Sequence, residues 1–221
     1  MDARAVTGIV LAAGAGRRAG GPKALRHSED GTPWVESAVR RLEAVGCARV
    51  LVVLGAEAAR ARVLVPPSAR IVVAAEWADG LSASLRAGLA AADGDAALVT
   101  LVDLPDEPAE VGARILDRSP DGPGALARAV YGGRPGHPVL LGAAHWPAIA
   151  RGASGDTGAR ELLRSAGALE IECGDLSEGL DDDEPAHASS PASSAPSSAR
   201  QASVAQTERT GLPATASSAD S

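Results

Sequence analysis

Phenylalanine is absent from this sequence of 221 residues, and tyrosine and methionine occur once each. With Trp34, Trp77, Trp146 and Tyr131 as the only aromatics, a core must be assembled from Ala, Val, Leu and Ile, which dominate the 45% apolar fraction. Cysteine is scarce too. Cys47 and Cys173 form no Cys-x-x-Cys pair, which excludes a disulfide scaffold and a zinc ribbon and suits a reducing, cytoplasmic compartment. No apolar run approaches the ~20 residues of a membrane span, so no membrane association is expected. Met1-Asp2-Ala3-Arg4 leads straight into a strand-like run without the features of a signal peptide. The net charge of -7 excludes non-specific nucleic-acid binding, which needs phosphate-neutralising cations. Lysine is the scarcest cation: of 21 basic residues, 20 are Arg and one is Lys23. Lys23 therefore stands out as a compact point charge in a chain that otherwise uses the planar guanidinium fork.

Up to about Asp175 two patterns alternate. Aliphatic runs at Thr7–Ala12, Arg49–Leu54, Arg70–Ala74 and Ala97–Val102 lack polar alternation and predict strands buried on both faces. Between them, Pro33–Val45 puts Trp34, Ala38, Leu42 and Val45 on one helical stripe, and Leu81–Ala92 groups Leu81, Leu85, Gly88 and Leu89. Such alternation predicts an α/β, doubly wound, mostly parallel sheet in three layers. Ala125–Tyr131 and Pro138–Leu141 flank a Gly/Pro-rich loop and predict a small β-hairpin insertion. Ala159–Ala166 predicts a short helix and Ala168–Cys173 a last strand. Ser, Ala and Pro dominate residues 184–221, with Val204 and Leu212 as the only larger aliphatics, a composition that predicts a disordered tail after a domain spanning residues 1–183.

The first strand runs into Leu11-Ala12-Ala13-Gly14-Ala15-Gly16-Arg17-Arg18-Ala19-Gly20-Gly21-Pro22-Lys23. Four glycines in such a loop permit a nest of backbone N–H groups that binds anions. Arg18 and Lys23 add cations over the same volume, as a polyphosphate site requires. The stretch Gly14–Ala19 satisfies the dinucleotide fingerprint. Gly20-Gly21-Pro22 nevertheless interrupts the helix that fingerprint needs, and the second strand ends in Leu54-Gly55-Ala56 without its acid. A P-loop is excluded because Pro22 separates Gly21 from Lys23 and no Ser or Thr follows.

This stretch resembles the Leu-Ala-Ala-Gly-x-Ser-x-Arg-Met-Gly-x-x-Lys signature of the MobA-like NTP transferases, and within them the molybdenum cofactor cytidylyltransferases (MocA-like). Gly16 stands where Ser is usual and Ala19 where Met is usual. Four further segments are similar to the family: Gly80-Leu81-Ser82-Ala83-Ser84-Leu85, Asp103-Leu104-Pro105, Gly133-Arg134-Pro135-Gly136-His137-Pro138-Val139, and Gly155-Asp156-Thr157-Gly158-Ala159-Arg160. A fifth, Asp181-Asp182-Asp183-Glu184-Pro185, matches the family's returning acids at Asp181 and Asp183. The resemblance covers Gly8 to about Pro185.

The resemblance implies a Rossmann-like nucleotidyltransferase fold. It implies that Leu11, Ala12, Ala13, Gly14, Ala15, Gly16, Lys23, Gly80, Ser82 and Ser84 hold a nucleotide, and that Arg134, His137 and Asp156 touch an acceptor. Asp103 and Asp183 would hold Mg²⁺, and Arg18, Lys23 and Asp103 would carry catalysis. A carboxylate directly after a strand also fits metal ligation on physical grounds, because the carboxyl edge of an α/β sheet is where ligands bind. Asp106 and Glu107 read as solvated loop charges. Ser82 and Ser84, at a helix start, also suit simple capping. The implied reaction transfers NMP from an NTP, CTP by resemblance, to a phosphate-bearing acceptor such as molybdopterin, by a protein acting as a monomer or weak dimer. Three alternatives stand beside it: a transferase using GTP or another acceptor, a nucleotide-binding chaperone serving a molybdoenzyme, and a dinucleotide-dependent oxidoreductase.

Overall fold

In the computed structural model, residues 5–17, 19–152, 155 and 159–180 are described. Arg18, Asp156, Asp181, Asp183 and the expected tail lie outside them. The strands are β1 (Val6–Ala12), β2 (Arg49–Leu54), β3 (Arg70–Val73), β4 (Ala96–Leu101), β5 (Leu126–Tyr131), β6 (Arg134–Gly142) and β7 (Leu169–Glu172). They form one sheet in the order β3-β2-β1-β4-β6-β5-β7. Every neighbouring pair is parallel except those made by β6, which runs antiparallel to both β4 and β5. As the uninterrupted aliphatic runs predict, β1 is buried along its whole length and β2 and β4 nearly so.

Two apolar layers sandwich the sheet. On one face, Val10, Val52 and Leu98 meet α1 (Trp34–Ala44) through Val35, Val39 and Leu42, and α4 (Ala109–Arg118) through Val111 and Ile115. On the other, Ile9, Leu51 and Val99 meet α3 (Leu81–Ala91) through Leu85 and Leu89. Ile149 of α5 (Trp146–Gly152) and Leu163 of α6 (Arg160–Ser165) complete that layer. The two rows interleave as the period-two pleat requires. α2 (Ala58–Ala61) is a single turn after β2. No helix among the described residues is long and apolar enough to cross a membrane.

Five elements differ from the sequence expectation. β3, at the sheet edge, is not buried on both faces, and Val73 is 53% exposed. α2, α4 and α5 escape it altogether; α4 shows only Val111 and Ile115 as large buried apolar side chains, with Gly112 between them. The segment Arg134–His137, read as loop from its Gly and Pro content, is the start of β6. The β5–β6 turn itself contains only Gly132 and Gly133, with φ of 58° and 79°, the two-residue geometry whose twist matches the strands it joins.

The order β2-β1-β4 sets the location of the site. Chain crossovers leave β1 toward β2 on one side and enter β4 on the other, so a crevice opens beyond the carboxyl ends of β1 and β4. Leu98, fully buried at the centre of β4, pairs with Gly8 of β1 and Leu140 of β6. Leu98→Ala is expected to cost about 3 kcal/mol through lost burial and an unfilled cavity. Urea unfolding checks this as a lower midpoint at unchanged slope.

Candidate active site

The chain leaving β1 turns back on itself. Gly16 has φ +57°, and its carbonyl accepts hydrogen bonds from the Ala19 N–H at 2.9 Å and the Gly21 N–H at 3.0 Å. A Cβ at Gly16 would lie 1.8 Å from the Gly21 carbonyl oxygen, so no larger residue fits this turn. The Arg26 guanidinium donates to the Ala19 carbonyl at 2.5 Å and lies over the Trp34 ring at 5.2 Å, tying the loop to the start of α1. The loop then enters a short 3-10 turn, Lys23–Leu25, rather than the helix a dinucleotide fingerprint demands.

Lys23 is 9% exposed, and its Nζ lies 2.7 Å from Asp103 Oδ2. Asp103 follows β4 by two residues, so this pair joins the loops from the two strands that flank the crevice. The pair borders a cavity of about 410 Å³ whose walls include Leu11–Arg17, Trp77, Gly80, Leu81 and Ser84. The expected nucleotide-binding positions Leu11, Ala12, Ala13, Gly14, Ala15, Gly16, Lys23, Gly80 and Ser84 thus converge on one space. Ser82 does not join them. It is fully buried in the first turn of α3 and lines neither cavity.

A second cavity of about 320 Å³ shares Leu11, Leu81 and Leu101 with the first. Its floor is aliphatic, with Leu85, Val99, Val139, Leu141 and Leu163, and its polar groups are Arg128, Arg134, His137 and Arg160. Arg134 and His137 were expected there. Arg160 stands in the quoted Gly-Asp-x-Gly-Ala-Arg motif without an assigned role, and Arg128 has no motif signal because its antiparallel pairing opposite Val139 of β6 brings it in. Arg134 donates to the Glu178 carbonyl at 3.0 Å, and Arg128 is ion-paired with Glu170. Burial pushes the His137 imidazole down to about 4, further lowered by Arg160 and partly opposed by Asp103, so the ring is neutral at physiological pH.

Glu107 corrects the sequence expectation of a solvated charge; Asp106 alone is exposed. Glu107 is 9% exposed beneath the loop after β4, and its Oε1 lies 2.9 Å from the Tyr131 hydroxyl. Burial raises its carboxyl to about 7, against the opposing pull of the Tyr131 hydrogen bond and the Arg41 guanidinium. Arg41 in turn donates to the Pro105 carbonyl at 2.9 Å. The signal that would have found Glu107 lies in its pairing with Tyr131, 24 residues away.

Among the described residues no cluster of three or more His, Cys, Asp or Glu forms a metal cage. One carboxylate, Asp103, faces the glycine-loop cavity. A single hard oxygen ligand fits Mg²⁺, which takes one or two carboxylates and completes its shell with phosphate and water, and does not fit a soft or all-protein metal centre.

Among known proteins, the profile of the MobA-like NTP transferase domain matches residues 8–171. Nicotine blue oxidoreductase of Paenarthrobacter nicotinovorans is 41% identical over 195 residues, covering 82% of this chain and 94% of that protein. The structure of Rv0371c from Mycobacterium tuberculosis H37Rv superposes with a TM-score of 0.66 at 26% identity, over 77% of this chain and 89% of that one. A complex of Rv0371c with manganese gives a TM-score of 0.63 at 23% identity, over 76% and 88% of the two chains. A nucleotidyl transferase from Methanothermobacter thermautotrophicus shares the fold, with a TM-score of 0.62 at 23% identity over 77% of this chain and 88% of that one. The seven-stranded sheet is the Rossmann-like nucleotidyltransferase fold.

The raised carboxyl of Glu107 ties stability to pH. Its folded value of about 7 exceeds the ordinary 4.5, so the stability it allows is present below about 4.5 and lost as pH rises to about 7. His137, lowered from 6.5 to about 4, acts with the opposite sign, adding stability as pH rises through that range. The difference between wild type and Glu107→Gln isolates the carboxyl. Wild type is expected to lose up to about 3 kcal/mol relative to the variant between the two limits, as measured by urea unfolding across the pH series.

Proposed function

We propose that this chain, which belongs to the MobA-like NTP transferase family, transfers a nucleoside monophosphate from an NTP to a small phosphate-bearing acceptor and releases pyrophosphate. By the family resemblance the pair is CTP and molybdopterin. The observation that carries the reading is the buried Lys23–Asp103 pair on the wall of the glycine loop's cavity, which shares Leu11, Leu81 and Leu101 with the second, arginine-rimmed cavity.

In this reading the backbone of Ala13–Gly16 receives the triphosphate, and the backbone around Gly80 with the Ser84 side chain bounds the nucleoside. The acceptor lies in the second cavity against Arg134 and His137, with Arg160 and Arg128 as further cations and Asp156 joining from outside the described residues. An acceptor phosphate oxygen forms its bond to the α-phosphorus as the bond from that phosphorus to the bridging oxygen breaks. The electron pair leaves with pyrophosphate. The nucleophile is already an anion, so no general base is required. Catalysis then rests on alignment and on cations set in advance around developing negative charge. Lys23 and, by resemblance, Arg18 supply two of them. Mg²⁺, held by Asp103 and by resemblance Asp183, would neutralise phosphate charge and orient the reacting oxygens. His137, neutral at physiological pH, offers a hydrogen bond rather than a charge.

A second reading has one observation in its favour, the 41% identity to a protein named as an oxidoreductase. A loop built for a triphosphate also accommodates the pyrophosphate of a nicotinamide dinucleotide, and the second cavity then takes a hydride acceptor. One assay separates the two. Pyrophosphate release from each common NTP with Mg²⁺ and molybdopterin is followed beside NAD(P)H oxidation with nicotine blue as the hydride acceptor, for wild type, Asp103→Ala and Lys23→Arg. Acceptor-dependent release with CTP is expected, falling at least ~100-fold in Asp103→Ala. Lys23→Arg is expected to lose activity as well, because a planar fork does not replace a point charge there. Oxidation of NAD(P)H without any pyrophosphate release selects the second reading.

A further inference from the structure

The Tyr131 hydroxyl stands between two hydrogen-bond acceptors and owns one proton. Glu107 Oε1 lies 2.9 Å from Oη, and the His137 carbonyl oxygen lies 2.5 Å from it. A carbonyl has no proton to give, so the His137 contact consumes the phenolic proton. The contact with Glu107 then requires its proton from the carboxyl side. We infer that Glu107 is a positioning residue for the second cavity: as a neutral acid it donates to Tyr131 Oη, which leaves the tyrosine proton for the His137 carbonyl and fixes the hairpin that lines that cavity.

The surroundings favour this arrangement. From α1, Arg41 faces Glu107; its Nη1 donates to the Pro105 carbonyl, while its Nη2 is buried without a hydrogen-bond partner. Asp106 in the same loop also faces Arg41. From β4 comes the Thr100 hydroxyl, from α4 only Ala109 and Gly112, and after β7 the buried Cys173, a thiol that burial keeps protonated. Burial outweighs the pull of Arg41 on the carboxyl. The link to the cavity is steric as well as polar. The Tyr131 ring lies directly beneath two cavity-lining residues: a Cβ at Gly136 would fall 2.6 Å from ring atom Cε2, and one at Gly179 2.2 Å from Cδ2.

Ionisation of Glu107 reverses the relay. The tyrosine proton turns to the carboxylate, and the His137 carbonyl is left 2.5 Å from an oxygen lone pair with no hydrogen between them. The hairpin must then withdraw, and the cavity changes shape as pH rises past about 7. That this governs acceptor binding rests on the reading of the second cavity as the acceptor site; the proton arrangement itself does not.

Two spectroscopic measurements on the full chain test it without any substrate. Tyr131 is the only tyrosine, so ¹³Cζ-tyrosine labelling gives one signal. Infrared difference spectra between wild type and Glu107→Gln at about pH 6 are expected to contain a protonated-carboxyl stretch from wild type. As that band disappears with rising pH, the Tyr131 signal shifts, while in Glu107→Gln it stays still; in Glu107→Ala the Tyr131 signal and the His137 amide both move. Carboxylate bands alone at about pH 6, or a Tyr131 signal indifferent to Glu107, overturn the inference. With CTP and molybdopterin as probes, Tyr131→Phe is expected to raise the acceptor KM about fivefold or more with a smaller change in kcat. An unchanged KM, with the spectroscopic results positive and turnover present, overturns the role in binding. No turnover with those probes bears on the proposed function, and the spectroscopic outcomes then decide the inference alone.

Discussion

Lys23 Nζ and Asp103 Oδ2, 2.7 Å apart, join the loop after β1 to the loop after β4 across the mouth of the crevice. Both side chains are largely withdrawn from water, and stripping two ions of their hydration costs several kcal/mol each before their attraction is counted. An apolar pair would hold the two loops together more cheaply. What an apolar pair cannot do is leave a cation and an anionic oxygen at the border of a cavity walled by exposed glycine backbone. The contact lies on the wall of the glycine loop's cavity, and that cavity shares Leu11, Leu81 and Leu101 with the arginine-rimmed one.

The sheet supplies the geometry that makes the contact possible. β1 and β4 are neighbours with crossovers departing in opposite directions, so their carboxyl ends open into one cleft instead of being roofed by a helix. The aliphatic rows on both faces make that cleft stiff. Ile9, Leu51 and Val99 on one side and Val10, Val52 and Leu98 on the other leave no slack through which the two loops could drift apart.

Much of this was legible in the sequence, and the reasons are local. β1, β2 and β4 read as buried strands because their aliphatic runs lack any polar beat, and α1 reads as a helix because Trp34, Ala38 and Leu42 recur at its period. The glycine loop stood out because four glycines and the chain's only lysine fall within ten residues. What stayed hidden depends on partners distant in sequence. Glu107 sits beside Asp106 and looks like one more loop acid, until Tyr131 is folded over it. Arg128 and Arg160 reach one cavity from a strand and a helix that no pattern connects. Arg134–His137 carries loop-like composition but pairs as a strand, because β5 offers it a ladder through Tyr131 and Val130.

The reversed strand β6 has a consequence for how such a protein diversifies. Its pairing with β4 begins only at Val139, opposite Val99, and within Arg134–Pro138 only Arg134 and Pro135 are laddered, both to β5. These five residues carry the Arg134 and His137 side chains, yet none of them is in register with a residue of β1 or β4. Substitutions there can retool one half of the crevice while the hydrogen-bonded frame of the other half is inherited unchanged. A lineage built on this sheet can remodel the arginine-rimmed cavity and keep the glycine loop, so that the two halves change at independent rates.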